Sequence, residues 1–384
     1  MISIGNAIFV EEEKIEESIL PYYDDVKFNE PLLKEYPNLR ELEKYLYIPP
    51  SMIPGKLDRE RISLISDGGR SGINLNYRVE ISLEIFGFHG TQTFVEGRKG
   101  VGSRFWSNSE KEKLENYWSE RGERKRIQKL LSSPETSRVM YGVSSGYDRP
   151  WGAQSESLAE HELKESERIL KDRINIKHCP VVAILRLPKE VEKLGRLLGN
   201  ETPERFYQVI RLVPGNIGID GLWTPSLLNL NDYEIETLKR KLEENGGVER
   251  FKKYILDDMV SLLELIPRTA KQIGNDYEAY AITGYFGDDH VVTLTGLYLR
   301  DMESIGFEKG YNNIKKGFTS QAMQIIGGIE LIFLILKLGD WKEIIDKIDS
   351  SEYFKIKETY FGRIMDVEGE DGFRTNIYLP RSLF

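Results

Sequence analysis

The chain has 384 residues, 40% hydrophobic and 11% aromatic, which suffices for a sizeable core in one large domain or two ordinary ones. Its formal net charge of −9 argues against a protein that mainly holds nucleic-acid backbone, since such proteins usually carry a basic excess. The single cysteine, Cys179, excludes an intrachain disulfide.

Met1 to Val10 carries no basic residue, and Glu11-Glu12-Glu13 follows directly. This is not the pattern of a secretory signal, and a cytoplasmic protein is expected. Residues 1–60 are broken by Pro21, Pro31, Pro37, Pro49, Pro50 and Pro54, each of which disfavours helix at the preceding position. Their tyrosine content suggests an ordered arm that wraps the body.

Ile62 to Ser66 is a strand candidate, followed by a turn at Asp67 to Gly72. Leu75 to Phe88 then alternates apolar and polar residues. Period two predicts a half-buried strand, and with the previous strand a hairpin. Thr91 to Ser109 contains Gly97, Gly100 and Gly102 and reads as a surface loop. A helix is predicted from Ser109 to Leu131. Its second half carries Arg121, Arg124, Lys125, Arg126 and Lys129, a solvated face that could locally meet phosphate or nucleic acid.

Arg138 to Val143 reads as a strand and Ser155 to Lys171 as a charged helix. Val181 to Leu187 and Phe206 to Val213 are buried strands, with a helix over Pro188 to Leu198 between them. Cys179 is expected to be a packed thiol. Strands interleaved with helices argue for a sheet with helices packed on it.

A subdomain boundary is expected near Pro214 to Leu230. Beyond it, helices are predicted at Asp232 to Asn245 and Val248 to Ile273, the second kinked at Pro267. Tyr280 to Tyr285 and Val291 to Leu299 read as a hairpin. Thr319 to Leu338 reads as a buried core helix, since charges and glycines interrupt its apolar run. A short helix from Trp341 to Ile348 and a hairpin of Tyr353 to Asp366 with Phe373 to Leu379 close the chain. The predicted fold is α+β: an arm at 1–60, a sheet-containing part at 61–215 and a more helical part at 216–384, the last two sharing one packed body.

Of the four histidines, none lies close enough in sequence to another to form a local metal pair. His89 stands out because it ends the alternating run, with Gly90 leaving its backbone open and Thr91 adding a hydroxyl. A satisfied histidine at a strand end is the plain alternative.

Phe88-His89-Gly90-Thr91, followed by Tyr141-Gly142-Val143-Ser144-Ser145-Gly146-Tyr147 and then by Glu204 ahead of a strand, resembles the His-Tyr-Glu class of ADP-ribosyltransferases. Gly142 stands where that family usually carries a bulkier residue. The resemblance implies NAD as co-substrate. His89 and Gly90 would bind it, Tyr141, Ser144 and Tyr147 would form the nicotinamide side, and Glu204 would be catalytic with His89. A carboxylate by the ribose would stabilise the oxocarbenium-like charge that develops as nicotinamide leaves.

Two other classes stay open. Asp67, Glu80 and Glu84 lie on adjoining strand candidates and could bind Mg²⁺ in a metal-dependent, nuclease-like enzyme. Glu80 and Glu84 share a face, and with Val79, Ile81 and Leu83 turned to the core that face is the solvated one. The third class is a non-catalytic structural, assembly or binding protein, which the tyrosine- and proline-rich first 60 residues would suit.

Overall fold

A computed structural model describes residues 23–40, 64–66, 71–99, 154–187, 205–214, 232–244, 246–282, 290–360 and 362–380. Its two most apolar strands, β6 (Val181–Arg186) and β7 (Phe206–Pro214), lie side by side in an antiparallel sheet. β1 (Asp25–Phe28) flanks β6. On the other side of β7 come β4 (Thr91–Lys99), β3 (Ser71–Ser82) and β2 (Leu64–Ser66). The short β5 (Gln154–Ser155) pairs with the start of β7.

Every residue of β7 is buried. Continuous burial means that both faces of the sheet are covered, which is why these strands read as unbroken apolar runs. Val181, Ile184, Tyr207 and Val209 face one core, while Val182, Ala183, Leu185, Ile210 and Leu212 face a second. The second core is closed by Leu32 and Leu33 of α1 (Glu30–Glu35), by Phe86 and by Tyr298. Within the segment expected to wrap the body, β1 therefore belongs to the sheet and α1 to its core.

The first core is the larger and lies between the sheet and the C-terminal half. α2 (Glu156–Asp172) contributes Ala159, Leu163 and Ile169. α3 (Asp232–Glu244), α4 (Val248–Leu263), α5 (Leu265–Thr269) and α6 (Tyr311–Leu336) pack beyond it, with α7 (Trp341–Asp349) beside α6. One apolar cluster holds Ala159 and Val209 together with Ile255, Phe318 and Leu379, so it runs across the boundary expected near 215.

α6 is buried on most of its circumference. By length and composition it could cross a membrane, and 61% of its most apolar stretch is buried inside this fold. It begins eight positions before the expected Thr319, because Asp276 caps it from a distant strand, accepting from Tyr311 N at 2.7 Å.

Among the described residues, the C-terminal half also holds three small antiparallel sheets. β8 (Lys271–Ile273) and β12 (Ile305–Lys309) flank β9 (Asp276–Ile282). β10 (His290–Thr293) and β11 (Gly296–Leu299) form their own hairpin. β13 (Phe354–Glu358), β14 (Gly362–Glu368) and β15 (Arg374–Pro380) form a meander.

Several expectations are corrected. The strand drawn to Phe88 ends at Ser82, where the Ser82 hydroxyl accepts from Glu84 N and starts a 3₁₀ helix, Leu83–Phe86. The loop drawn over Thr91 to Ser109 begins as strand β4. Its Gly97 marks close packing, since a Cβ there would meet Val213 Cγ1 at 2.9 Å. The long helix to Ile273 breaks at Glu264. Pro267 has no N–H for the Leu263 carbonyl, and after Thr269 the chain turns into β8. The hairpin drawn between Tyr280 and Leu299 does not form, because β9 pairs with β8 and β12 instead. The closing hairpin has three strands rather than two. The strand at Arg138 to Val143 and the helices at Ser109 to Leu131 and Pro188 to Leu198 lie outside the described residues.

Gln321 ties these pieces together. Its side chain, only 3% exposed, accepts from Ile282 N at 3.1 Å and donates to Leu262 O at 2.7 Å. Replacing Gln321 by Leu leaves a buried N–H and a buried C=O without that partner. The expected loss is about 2–5 kcal/mol, read by urea denaturation. A loss below about 0.5 kcal/mol, the range of an ordinary surface change, would show that the bridge is unimportant.

Candidate functional site

The His89 turn joins the 3₁₀ helix to β4. Leu83 N donates to Gly90 O at 2.8 Å and closes it. His89 and Gly90 are exposed, and the space beside the Gly90 Cα is open. The turn is thus accessible, as a ligand-binding role requires. Tyr141, Ser144, Tyr147 and Glu204 lie outside the described residues, as does the basic segment with Arg121, Arg124, Lys125, Arg126 and Lys129. Phe206, two positions after Glu204, opens β7. In the antiparallel register Lys99 pairs with Val209, so Phe206 lies beyond the far end of β4 from Thr91. At ~3.3 Å per residue the offset along the strands is roughly 36 Å. The register therefore lends no support to one pocket shared by His89 and the beginning of β7.

Glu80 and Glu84 are exposed, and Asp67 lies outside the described residues. His161 is bonded through Nε2 to Ile305 O at 2.9 Å. His290 is buried in β10. Cys179 is fully buried, as expected of a packed thiol.

Behind the His89 turn lies a buried ion pair that the sequence did not announce. Lys177 Nζ is 2.9 Å from Asp258 Oδ1, and the two side chains are 4% and 3% exposed. Lys177 also donates to Thr295 O at 2.8 Å. Three rings surround its ammonium: Phe88 at 4.8 Å, Tyr254 at 5.2 Å and Tyr298 at 5.8 Å. Such rings offer their negative faces to a cation. Asp258 Oδ2 also accepts from Leu297 N at 2.8 Å. Gly296, at φ +119, makes this approach possible, since a Cβ there would lie 1.8 Å from Oδ2. Burial outweighs the pull of Lys177 and pushes the Asp258 carboxyl up to about 6.

His178, next in the chain, is fully buried against Phe86, with ring centroids 4.8 Å apart. Its Nδ1 lies 3.3 Å from Ile176 O, and its Nε2 is buried with no partner. Burial drives its pKa down to about 4, so the ring is neutral near pH 7. Leu299 N donates to Lys177 O and Cys179 N to Leu299 O, so this short segment rivets β11 to the main sheet.

A group of acids meets elsewhere. On α2 the buried face runs through Ala159, Glu162, Leu163, Ser166 and Ile169, at helical spacing. That face carries Glu162 inward, where it is 0% exposed. Asp301 and Glu303 flank the start of a 3₁₀ helix, Met302–Ser304, and are half-buried. One oxygen from each of the three carboxylates lies within 4.8 Å of the others. Gln154, also fully buried, donates through Nε2 to Glu162 Oε1, and its Oε1 has no donor. Arg211 borders the group, with Nη1 3.8 Å from Asp301 Oδ1 and donating to Arg300 O at 2.7 Å.

Carboxylate and amide oxygens are the donors that hard divalent cations take. Sequence reasoning missed this set because its members are about 140 positions apart. The available signal was Glu162 itself, a carboxylate on the apolar face of an amphipathic helix. No protein family matches the sequence, and neither a curated protein nor a solved structure matches the chain.

The ion pair and the histidine each generate a test. Lys177→Met strands a buried carboxylate and is expected to cost about 3–5 kcal/mol in urea denaturation. Adding Asp258→Leu should restore most of it, whereas a double variant no more stable than the single would contradict the pairing. His178 contributes stability that is present above pH 6.5 and lost as pH falls toward about 4. Asp258 acts oppositely, with stability present below its ordinary 3.8 and lost as pH rises toward about 6. Asp258→Asn removes the second slope. That variant should lose about 2 kcal/mol more than the parent between pH 6.5 and pH 4, the part that Asp258 offsets in the parent, at about 1.36 kcal/mol per pKa unit. Parallel pH curves for the two proteins would refute this.

Proposed function

We propose that the chain is a divalent-cation-dependent protein with Glu162, Asp301 and Glu303 as the metal-binding carboxylates. The observation that carries this is the convergence of three carboxylate oxygens within 4.8 Å, one of them from a fully buried residue. Arg211, 3.8 Å from Asp301, offsets part of the repulsion among these carboxylates, and a cation between them would offset the rest. Gln154, fully buried, donates through Nε2 to Glu162 and holds that carboxylate in place.

The chemistry this arrangement fits is metal-assisted hydrolysis of phosphate esters. Glu162 would anchor the cation from the protein side. Asp301 and Glu303, half-buried, would leave its outward face to water and to a phosphate oxygen. A bound cation makes such a water a better nucleophile and offsets charge on the phosphate. The acids in this proposal replace Asp67, Glu80 and Glu84 as the metal candidates.

Mg²⁺ or Mn²⁺ is expected to raise the melting temperature of the wild type, and a chelator should reverse the rise. At a hundredfold excess over Kd, one site supplies about 2.7 kcal/mol. Glu162→Gln should abolish the shift and any cation-dependent hydrolysis of a simple phosphodiester. Identical melting with and without each cation would overturn the metal centre. A normal shift without hydrolysis would leave cation binding and remove the phosphoester chemistry.

A further inference from the structure

At the junction of α6 and α7 lies a cavity of about 200 Å³. It is lined by Glu330, Phe333, Leu334, Trp341 and Ile344, with Gly339 and Asp340 at the bend. This is smaller than the ~300–1,000 Å³ of most ligand sites, so its occupant is small.

The walls and the rim differ in character. Phe333, Trp341, Ile344 and the exposed Leu334 supply apolar and aromatic surface, and Leu334 is 64% exposed. Glu330 and Asp340 supply carboxylates. The cavity lies between the C-terminal end of α6 and the N-terminal end of α7, whose dipole ends oppose each other, so the carboxylates carry its negative character. Asp340 Oδ1 accepts from Lys342 N at 2.9 Å, which fixes that carboxylate at the bend. The Trp341 ring already faces a cation, with the Arg363 guanidinium 6.0 Å from its centroid. Its indole N–H is buried and has no acceptor.

We propose that this cavity binds a small organic ammonium compound that carries an acceptor oxygen, such as an amino alcohol. The ammonium group would meet Glu330 and Asp340, with its carbon substituents against Phe333 and Trp341. Aromatic faces and carboxylates together favour such an alkylated cation over a bare metal ion, which would need a fuller oxygen shell. The oxygen of the occupant would take the indole N–H. This site is separate from the carboxylate group on α2 and stands without it.

The test is calorimetric titration of the full chain with choline and, in parallel, with its neutral isostere in which carbon replaces nitrogen. Saturable choline binding is expected, with the isostere weaker by at least about tenfold, or 1.4 kcal/mol. Glu330→Gln, a partly exposed change, should weaken choline by a similar factor and leave the isostere unaffected. Trp341→Leu should weaken both. Should Trp341→Leu fail to fold, the Glu330→Gln titration decides alone. Equal binding of choline and isostere, no saturable binding, or choline binding unchanged by Glu330→Gln would each overturn the proposal.

Discussion

The seam between the main sheet and the C-terminal helices is defined by one buried contact, the Lys177–Asp258 ion pair. The main sheet and the C-terminal helices come from distant parts of the chain, and the pair lies where they meet. Lys177 comes from the approach to β6 and Asp258 from α4. Phe88, beside the His89 turn, and Tyr298, on β11, complete the cage. Thr295 Oγ1 extends the network to Gln92 of β4 at 2.7 Å. A buried charge is costly unless its partner and its hydrogen bonds are all present. The cost of misplacing any one of these segments therefore falls on a single point, and that gives the seam its definition. Apolar contacts supply most of the stability, but they are less selective about register.

The sheet centre was legible because it obeys simple rules. β6 and β7 are apolar without interruption, which signals burial on both faces. α2 showed helical periodicity and ended where expected. The failures share a cause: each depended on a partner remote in sequence. β4 was hidden because Gly97 reads as loop, whereas it makes room for Val213 of the neighbouring strand. The start of α6 was hidden because Asp276, on β9, is its cap. The partners of β9 could not be read from the nearest turn signal. Both flanking strands pair with it, so the adjacent run was free to fold on itself as β10 and β11.

The candidate sites follow the same logic. His89 attracted attention because a short local pattern carried it, and the structure places it on an open turn. The strand register, a non-local property, then separates that turn from the beginning of β7. Glu162, Asp301 and Glu303 form no pattern in sequence. They become a group only when α2 packs against the segment after β11. The clue at Glu162 was weak alone, since many charged residues crowd α2. It gains weight because that carboxylate falls in line with Ala159, Ser166 and Ile169 and is fully buried, with Glu165 buried beside it.

The central functional claim is that these carboxylates hold a divalent cation, and the most direct measurement is to count bound Mn²⁺ by electron paramagnetic resonance. The free ion gives a strong signal that binding removes, so a titration counts sites without reference to activity or folding. The account predicts a saturable site on the wild-type chain that both Glu162→Gln and Asp301→Asn lose. No bound Mn²⁺, or binding that both variants retain, would contradict it.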